Sequence, residues 1–209
     1  MVRVSLPLCW GDVNDERNSL AAAAGLAREL HFRQDKVLWI HPVNLLRHMP
    51  HLSHFANVTT LVFTNLIATV FHAISPANCF KPFVTSVRTL RLCRPVARPR
   101  SLMQIVLLFP AAVNVQISFP RWSVSDENLT LHPHLEEETE FTGILHLRGF
   151  EEKWSEFFAL LSTCRLRFQK IRLMGCKFNT STQLQALLES VSQTASAVQL
   201  VGVWKRRSN

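Results

Sequence analysis

The chain has 209 residues, 47% of them hydrophobic and 18% charged, enough apolar mass for one domain or one short repeat array. That composition excludes wholesale disorder, and the net charge of +8 biases the chain toward acidic partners without making it a polycationic tail. Five widely spaced cysteines without a CxxC pair exclude a disulfide framework and a zinc finger; they read as reduced core residues of an intracellular protein, cytoplasmic or nuclear.

The N-terminus carries no basic stretch leading into a 7–15-residue apolar run, so no signal peptide is expected. Asn18 to Leu30, with Ala21 to Ala24 inside it, predicts a helix, and residues 1–35 read as a helical cap or a degraded docking segment. A strand is expected at Val37 to Ile40 and a helix around Leu45 to Met49. The longest apolar stretch, Leu61 to Ile74, is broken by Thr64, Asn65, Thr69 and His72, too short and too polar to span a bilayer, so no membrane partner is expected.

From there the chain alternates between two periods. Segments with apolar residues in the pattern L-x-x-L-x-L occur at Val58/Leu61/Phe63, Val87/Leu90/Leu92, Ala112/Val115/Ile117, Thr142/Leu145/Leu147, Phe168/Ile171/Leu173 and Ala195/Val198/Leu200. Their central positions lie 29, 25, 30, 26 and 27 residues apart. Between them, Leu102/Ile105/Val106/Phe109, Trp154/Phe157/Phe158/Leu161 and Leu184/Leu187/Leu188/Val191 fall at helical spacing. Ser101 is the expected N-cap of the first of these helices, Pro110 its stop, and Thr180-Ser181-Thr182 supplies hydroxyl caps for the last. Ser123 to Glu140, polar, acidic and containing Pro133, reads as a loop inserted in the third unit.

A strand followed by a helix at intervals in the upper twenties is the unit of a leucine-rich repeat. The expected fold is therefore an α/β leucine-rich-repeat solenoid, a horseshoe of short parallel strands with one helix per irregular repeat. The array spans residues 36–204 in six or seven units, with the insertion at 123–140 and a basic tail at 205–209. The competing expectation is a non-repeat α/β domain whose strands merely share an apolar alternation.

Ser86-Val-Arg-Thr-Leu-Arg-Leu-Cys93, followed by a helix and Phe109-Pro110, resembles fungal leucine-rich-repeat proteins of the F-box-associated type. Phe168-Gln-Lys-Ile-Arg-Leu-Met-Gly-Cys176 is similar in the same way. The resemblance implies an adaptor in which an N-terminal F-box docks to a ubiquitin-ligase scaffold while the repeats hold a substrate. Leu6-Pro7 is in keeping with an F-box opening, but Cys9-Trp10-Gly11-Asp12 does not continue as its amphipathic helix, so the chain carries no recognisable F-box.

Alternation along each strand points the L positions inward and the residues between them to the other face. The residue after each central L gives the column Val62, Arg91, Gln116, His146, Arg172 and Gln199, and neighbouring columns add Thr89, Asn114, Arg148 and Lys170. The candidate partner-binding residues are Arg91, Gln116, His146, Arg148, Lys170, Arg172 and Gln199, with the arginines gripping carboxylates of an acidic protein segment. The alternative is a nucleic-acid binder using Arg88, Arg91, Arg94, Arg98 and Arg100, disfavoured because no aromatic platform or nucleic-acid module accompanies them. His48/His51/His54 and His132/His134 read as ordinary surface histidines, so no metal is assigned. No Gly-x-Ser-x-Gly, P-loop, His-Glu-x-x-His or dinucleotide fingerprint is present, so no catalytic residue, cofactor or enzymatic activity is expected.

Overall fold

The computed structural model describes residues 2–7, 27–33, 58–67, 81–123, 140–151, 153–163, 166–178, 180–202 and 204–205. Its framework is one open sheet of eight parallel strands. They are β1 (Val2–Pro7), β2 (Ala27–Arg33), β3 (Thr60–Thr64) and β4 (Thr89–Cys93), then β6 (Asn114–Ser118), β8 (Glu140–Arg148), β9 (Arg167–Met174) and β11 (Ala195–Val201). Spatial order follows chain order. Among the described residues three α-helices accompany the later strands: α1 (Pro99–Leu107), α2 (Trp154–Thr163) and α3 (Ser181–Ser192). The fold is thus mixed α/β.

Register explains the sheet. Val4, Leu30, Leu61, Leu90, Val115, Leu145, Ile171 and Val198 stand side by side across all eight strands. Two residues on, Phe63, Leu92, Ile117, Leu147 and Leu173 form a second inward row, each at most 1% exposed. The helices close over these rows with Leu102, Ile105 and Val106, with Phe157, Phe158 and Leu161, and with Leu187 and Val191. Aromatic rings fill the layer between: Phe150 meets Trp154 at 4.9 Å and Phe157 edge-on at 5.4 Å, while Trp154 stacks on Phe178 at 5.1 Å.

Each strand of the large sheet from β3 onward ends in the same turn. The fourth residue after the central position has positive φ in every unit: Asn65, Arg94, Phe119, Gly149, Gly175 and Gly202. Its N–H donates to the carbonyl of the next strand's last residue, from Asn65 to Cys93 (2.8 Å), Arg94 to Ser118 (2.7 Å), Phe119 to Arg148 (2.7 Å), Gly149 to Met174 (3.0 Å) and Gly175 to Val201 (2.9 Å). Beyond the turn the chain forms short parallel pairs, β5 (Val96–Ala97) with β7 (Arg121–Trp122) and β10 (Lys177–Phe178) with β12 (Trp204–Lys205). Where these pairs form, consecutive units are stitched twice, once before and once after the turn.

Four sequence expectations need correction or placing. Ala27 to Leu30, expected as the end of a helix, belongs to β2, whose Leu30 and Phe32 fall in register with Leu61 and Phe63. The alanine run that suggested the helix lies outside the described residues, and sheet pairing outweighs helix propensity at its C-terminal end. The strand expected at Val37 to Ile40 and the helix at Leu45 to Met49 also lie outside the described residues; β2 occupies the place beside β3, so the step into that strand is from Leu30. Ser101 is not a cap. Helix α1 begins at Pro99 with Arg98 before it and no side-chain cap, and Ser101 is 3% exposed inside the first turn. Proline at the first helical position has the right φ already and no N–H to satisfy, so a hydroxyl is not required. The inserted loop lies mostly outside the described residues; its last residue, Glu140, opens β8.

At the other helix the expected cap is in place: the Thr180 hydroxyl oxygen accepts from the Gln183 N–H at 3.1 Å. Strand β8 slips register between Phe141 and Ile144, where Gly143 runs so close to the Val113 carbonyl that a Cβ would lie 1.8 Å from its oxygen. Glycine is the residue that permits that approach.

Candidate functional site

The sheet face opposite the helices carries three outward columns. The central one is Val62, Arg91, Gln116, His146, Arg172 and Gln199, each paired with the next by register. The column nearer the strand starts holds Thr60, Thr89, Asn114, Ile144, Lys170 and Ala197; the one nearer the strand ends holds Thr64, Cys93, Ser118, Arg148, Met174 and Val201. At roughly 4.8 Å per strand, the five steps of the central column run roughly 24 Å. All seven candidate residues therefore share one face. Arg91, Gln116, His146, Lys170, Arg172 and Gln199 are half-buried and Arg148 is exposed, whereas Val62 is buried and offers no contact.

From β3 to β11 the three columns carry cations and no acidic residue. Of the described acidic residues, Glu151, Glu156 and Glu189 lie in or beside α2 and α3, Glu140 opens β8, and Glu29 on β2 pairs with Thr60 of the strand-start column. Glu151 takes Lys177 at 2.6 Å, Glu156 takes Lys153 at 3.2 Å, and Glu189 accepts from Gln185 at 3.1 Å. Among the described residues, Arg91, Arg148, Lys170 and Arg172 have no carboxylate partner. Burial, then the Arg172 and Lys170 cations, holds the His146 imidazole below its ordinary range, so it is neutral at pH 7. Gln116 donates to the Ser118 hydroxyl at 3.1 Å. The Arg172 Nε and the Asn114 Oδ1 are buried without any hydrogen-bond partner. Such groups are costly to leave unpaired.

The five arginines between 88 and 100 do not form a single patch. Arg88 precedes β4 and donates to the Ala111 carbonyl at 3.2 Å, Arg91 lies on the strand face, and Arg94 sits in the turn at the far end. Arg98 and Arg100 belong to the start of α1, in the helical layer. The histidine sets at 48–54 and 132–134 lie outside the described residues. Cys176 is buried, and its thiol lies 3.4 Å from the Met174 carbonyl; burial raises its pKa and that of Cys93, which disfavours the reactive thiolate at both.

One residue of the face escaped sequence reasoning. Phe119 is 47% exposed at the end of β6, with φ +51, and the Arg148 guanidinium lies over its ring at 5.4 Å from the centroid. The signal was present: when the six units are aligned, Phe119 occupies the turn position that three others fill with glycine. On the helical side, a cleft of about 240 Å³ lies between α2 and α3, lined among others by Lys153, Trp154, Phe158, Gln183 and Leu187. No helix among the described residues is long and apolar enough to cross a membrane. No protein-family model, curated protein or solved structure matches this chain.

Proposed function

We propose that the chain is a leucine-rich-repeat-type solenoid acting as a non-enzymatic protein-interaction module, whose basic strand face holds an acidic segment of a partner protein. The observation that carries this reading is the charge of the strand face from β3 to β11: Arg91, Arg148, Lys170 and Arg172 stand there without a carboxylate partner among the described residues, and the three outward columns contain no acidic residue. Chain-ordered parallel strands and a turn repeated in every unit support the repeat architecture. An extended segment laid across the strands meets one column after another, and arginine forks grip carboxylates with paired hydrogen bonds. The resemblance of Ser86 to Cys93 and Phe168 to Cys176 to F-box-associated repeats makes the specific form of this role the substrate-holding part of a ubiquitin-ligase adaptor.

Affinity capture from a lysate with wild type and the Arg91→Glu/Arg172→Glu variant tests both halves. Scaffold proteins retained by both baits, together with a further protein retained by wild type alone, support adaptor and face together. Identical captures by the two baits sink the role of the face. Binding to nucleic acid instead would show as an affinity that falls steeply and linearly with the logarithm of salt concentration.

A further inference from the structure

The turn position after each strand demands positive φ, and Gly149, Gly175 and Gly202 meet that demand without strain. Phe119 meets it at a cost, because a bulky side chain rarely adopts φ +51. Its ring does not repay the cost by entering the core, since it is 47% exposed. It lies instead across the next unit: a Cβ on Gly149 would fall 2.2 Å from the Phe119 Cδ1, and Arg148 lies over the ring. The ring is thus held between the Gly149 backbone and a guanidinium, with much of its surface open. Residues that their surroundings hold in sparsely populated backbone regions cluster at active sites, ligand clamps and switch regions. Aromatic and arginine residues at such positions are the usual anchors of protein interfaces.

We propose that Phe119 and Arg148 form an anchor site that selects a partner segment in which an apolar or aromatic residue is flanked by acidic ones. This rests on the reading of the strand face as the acceptor of an acidic segment, and adds the feature that distinguishes one acidic segment from another. Arg148 has no carboxylate partner among the described residues, and a guanidinium stacked on a ring keeps its N–H edge free for a carboxylate. Arg94 stands one unit away in the same turn column, exposed and also at positive φ. The open surface of Phe119 takes the neighbouring apolar side chain. From this turn to the Arg91–Arg172 column is three residues along the strand, roughly 10 Å, well within the roughly 24 Å span of an extended heptapeptide.

The test uses two fluorescein-labelled heptapeptides, three glutamates on each side of either Phe or Ala, titrated by fluorescence polarisation with the full chain. Wild type is expected to bind the Phe peptide about tenfold more tightly than the Ala peptide, a typical anchor contribution. Phe119→Gly should bring the two affinities within about twofold of each other by weakening only the Phe peptide. Its melting temperature should not fall, because glycine relieves the positive φ. Arg148→Gln should weaken both peptides and shrink the preference. A preference that persists in Phe119→Gly, or that is absent from wild type, overturns the anchor. If the Ala peptide still binds wild type and is lost in Arg91→Glu/Arg172→Glu, the strand-face reading survives that overturning. If wild type binds neither peptide, both readings fail.

Discussion

The interior units and the last strand of the sheet have the same pattern and opposite fates. Ile171 and Leu173 on β9 are 0% exposed; Val198 and Leu200, paired with them in register on β11, are 36% and 42% exposed. The residue types are equally apolar, so hydrophobicity does not make the difference. Strand β9 has a strand on each side, whereas β11 is at the edge of the sheet. Strand β11 also contains no charged residue, the feature that usually guards such an edge. Burial in a stacked fold is a property of neighbours, and an inward-facing residue is only a candidate for it.

The sharpest way to break this comparison is to place a charge at both ends of it. Ile171→Asp, or equally Leu90→Asp, should unfold the chain or cost more than about 4 kcal/mol, because an unpaired carboxylate would sit in a dry core. Val198→Asp should cost less than about 1 kcal/mol. Urea titrations followed by circular dichroism would decide, and equal costs would mean that β11 is covered as completely as β9.

A cycle at the turn column comes next in size. Gly149→Ala should destabilise by roughly 1–3 kcal/mol, since it adds a Cβ both at positive φ and against the Phe119 ring. In a Phe119→Gly background only the backbone strain remains, so the penalty should shrink by about 1 kcal/mol. Additive costs would show that ring and glycine do not touch.

The capping hydroxyl on α3, the last helical cover before the edge, is smaller still. Thr180→Ala should cost about 1 kcal/mol, and Thr180→Ser should restore most of it. A loss seen only in local hydrogen exchange of α3 would mean that this end of the sheet opens separately from the interior.

The smallest effect concerns pH. The His146 pKa is lower in the folded chain than its ordinary value of 6.5, through burial first and then Arg172 and Lys170. The unfolded chain therefore takes up the proton more readily, and stability falls as pH drops from about 6.5 toward the lower folded value. His146→Gln should flatten that part of the stability curve and leave the region above pH 7 unchanged. A curve of identical slope in the two proteins would show that His146 is freely solvated.

Much of the fold was legible because alternation is local. The central residues of the six strands, Leu61 to Val198, come from spacing alone and are the ones that stand side by side in the sheet. Once that register is set, the shared face of Arg91, Gln116, His146, Arg148, Lys170, Arg172 and Gln199 follows from the two-residue period. Where local signals compete, the reading fails. Leu30 ends an alanine-rich stretch of good helix formers, yet it joins the sheet opposite Leu61, a pairing across 26 intervening residues between β2 and β3 that no propensity contains. Ser101 looks like a cap because capping is read from hydroxyls, and the neighbouring Pro99 made the hydroxyl unnecessary.

Local spacing is enough to show which residues of the six strands from β3 to β11 alternate inward, roughly where α1, α2 and α3 lie, and that the outward positions include Arg91, Arg148, Lys170 and Arg172. Each of these is a matter of period and side-chain chemistry within one unit. Tertiary structure alone decided that β2 lies beside β3, that Val198 and Leu200 are left open, and that Arg148 lies over the Phe119 ring. Those outcomes depend on which surfaces meet, and a contact between units has no signature in the spacing within one.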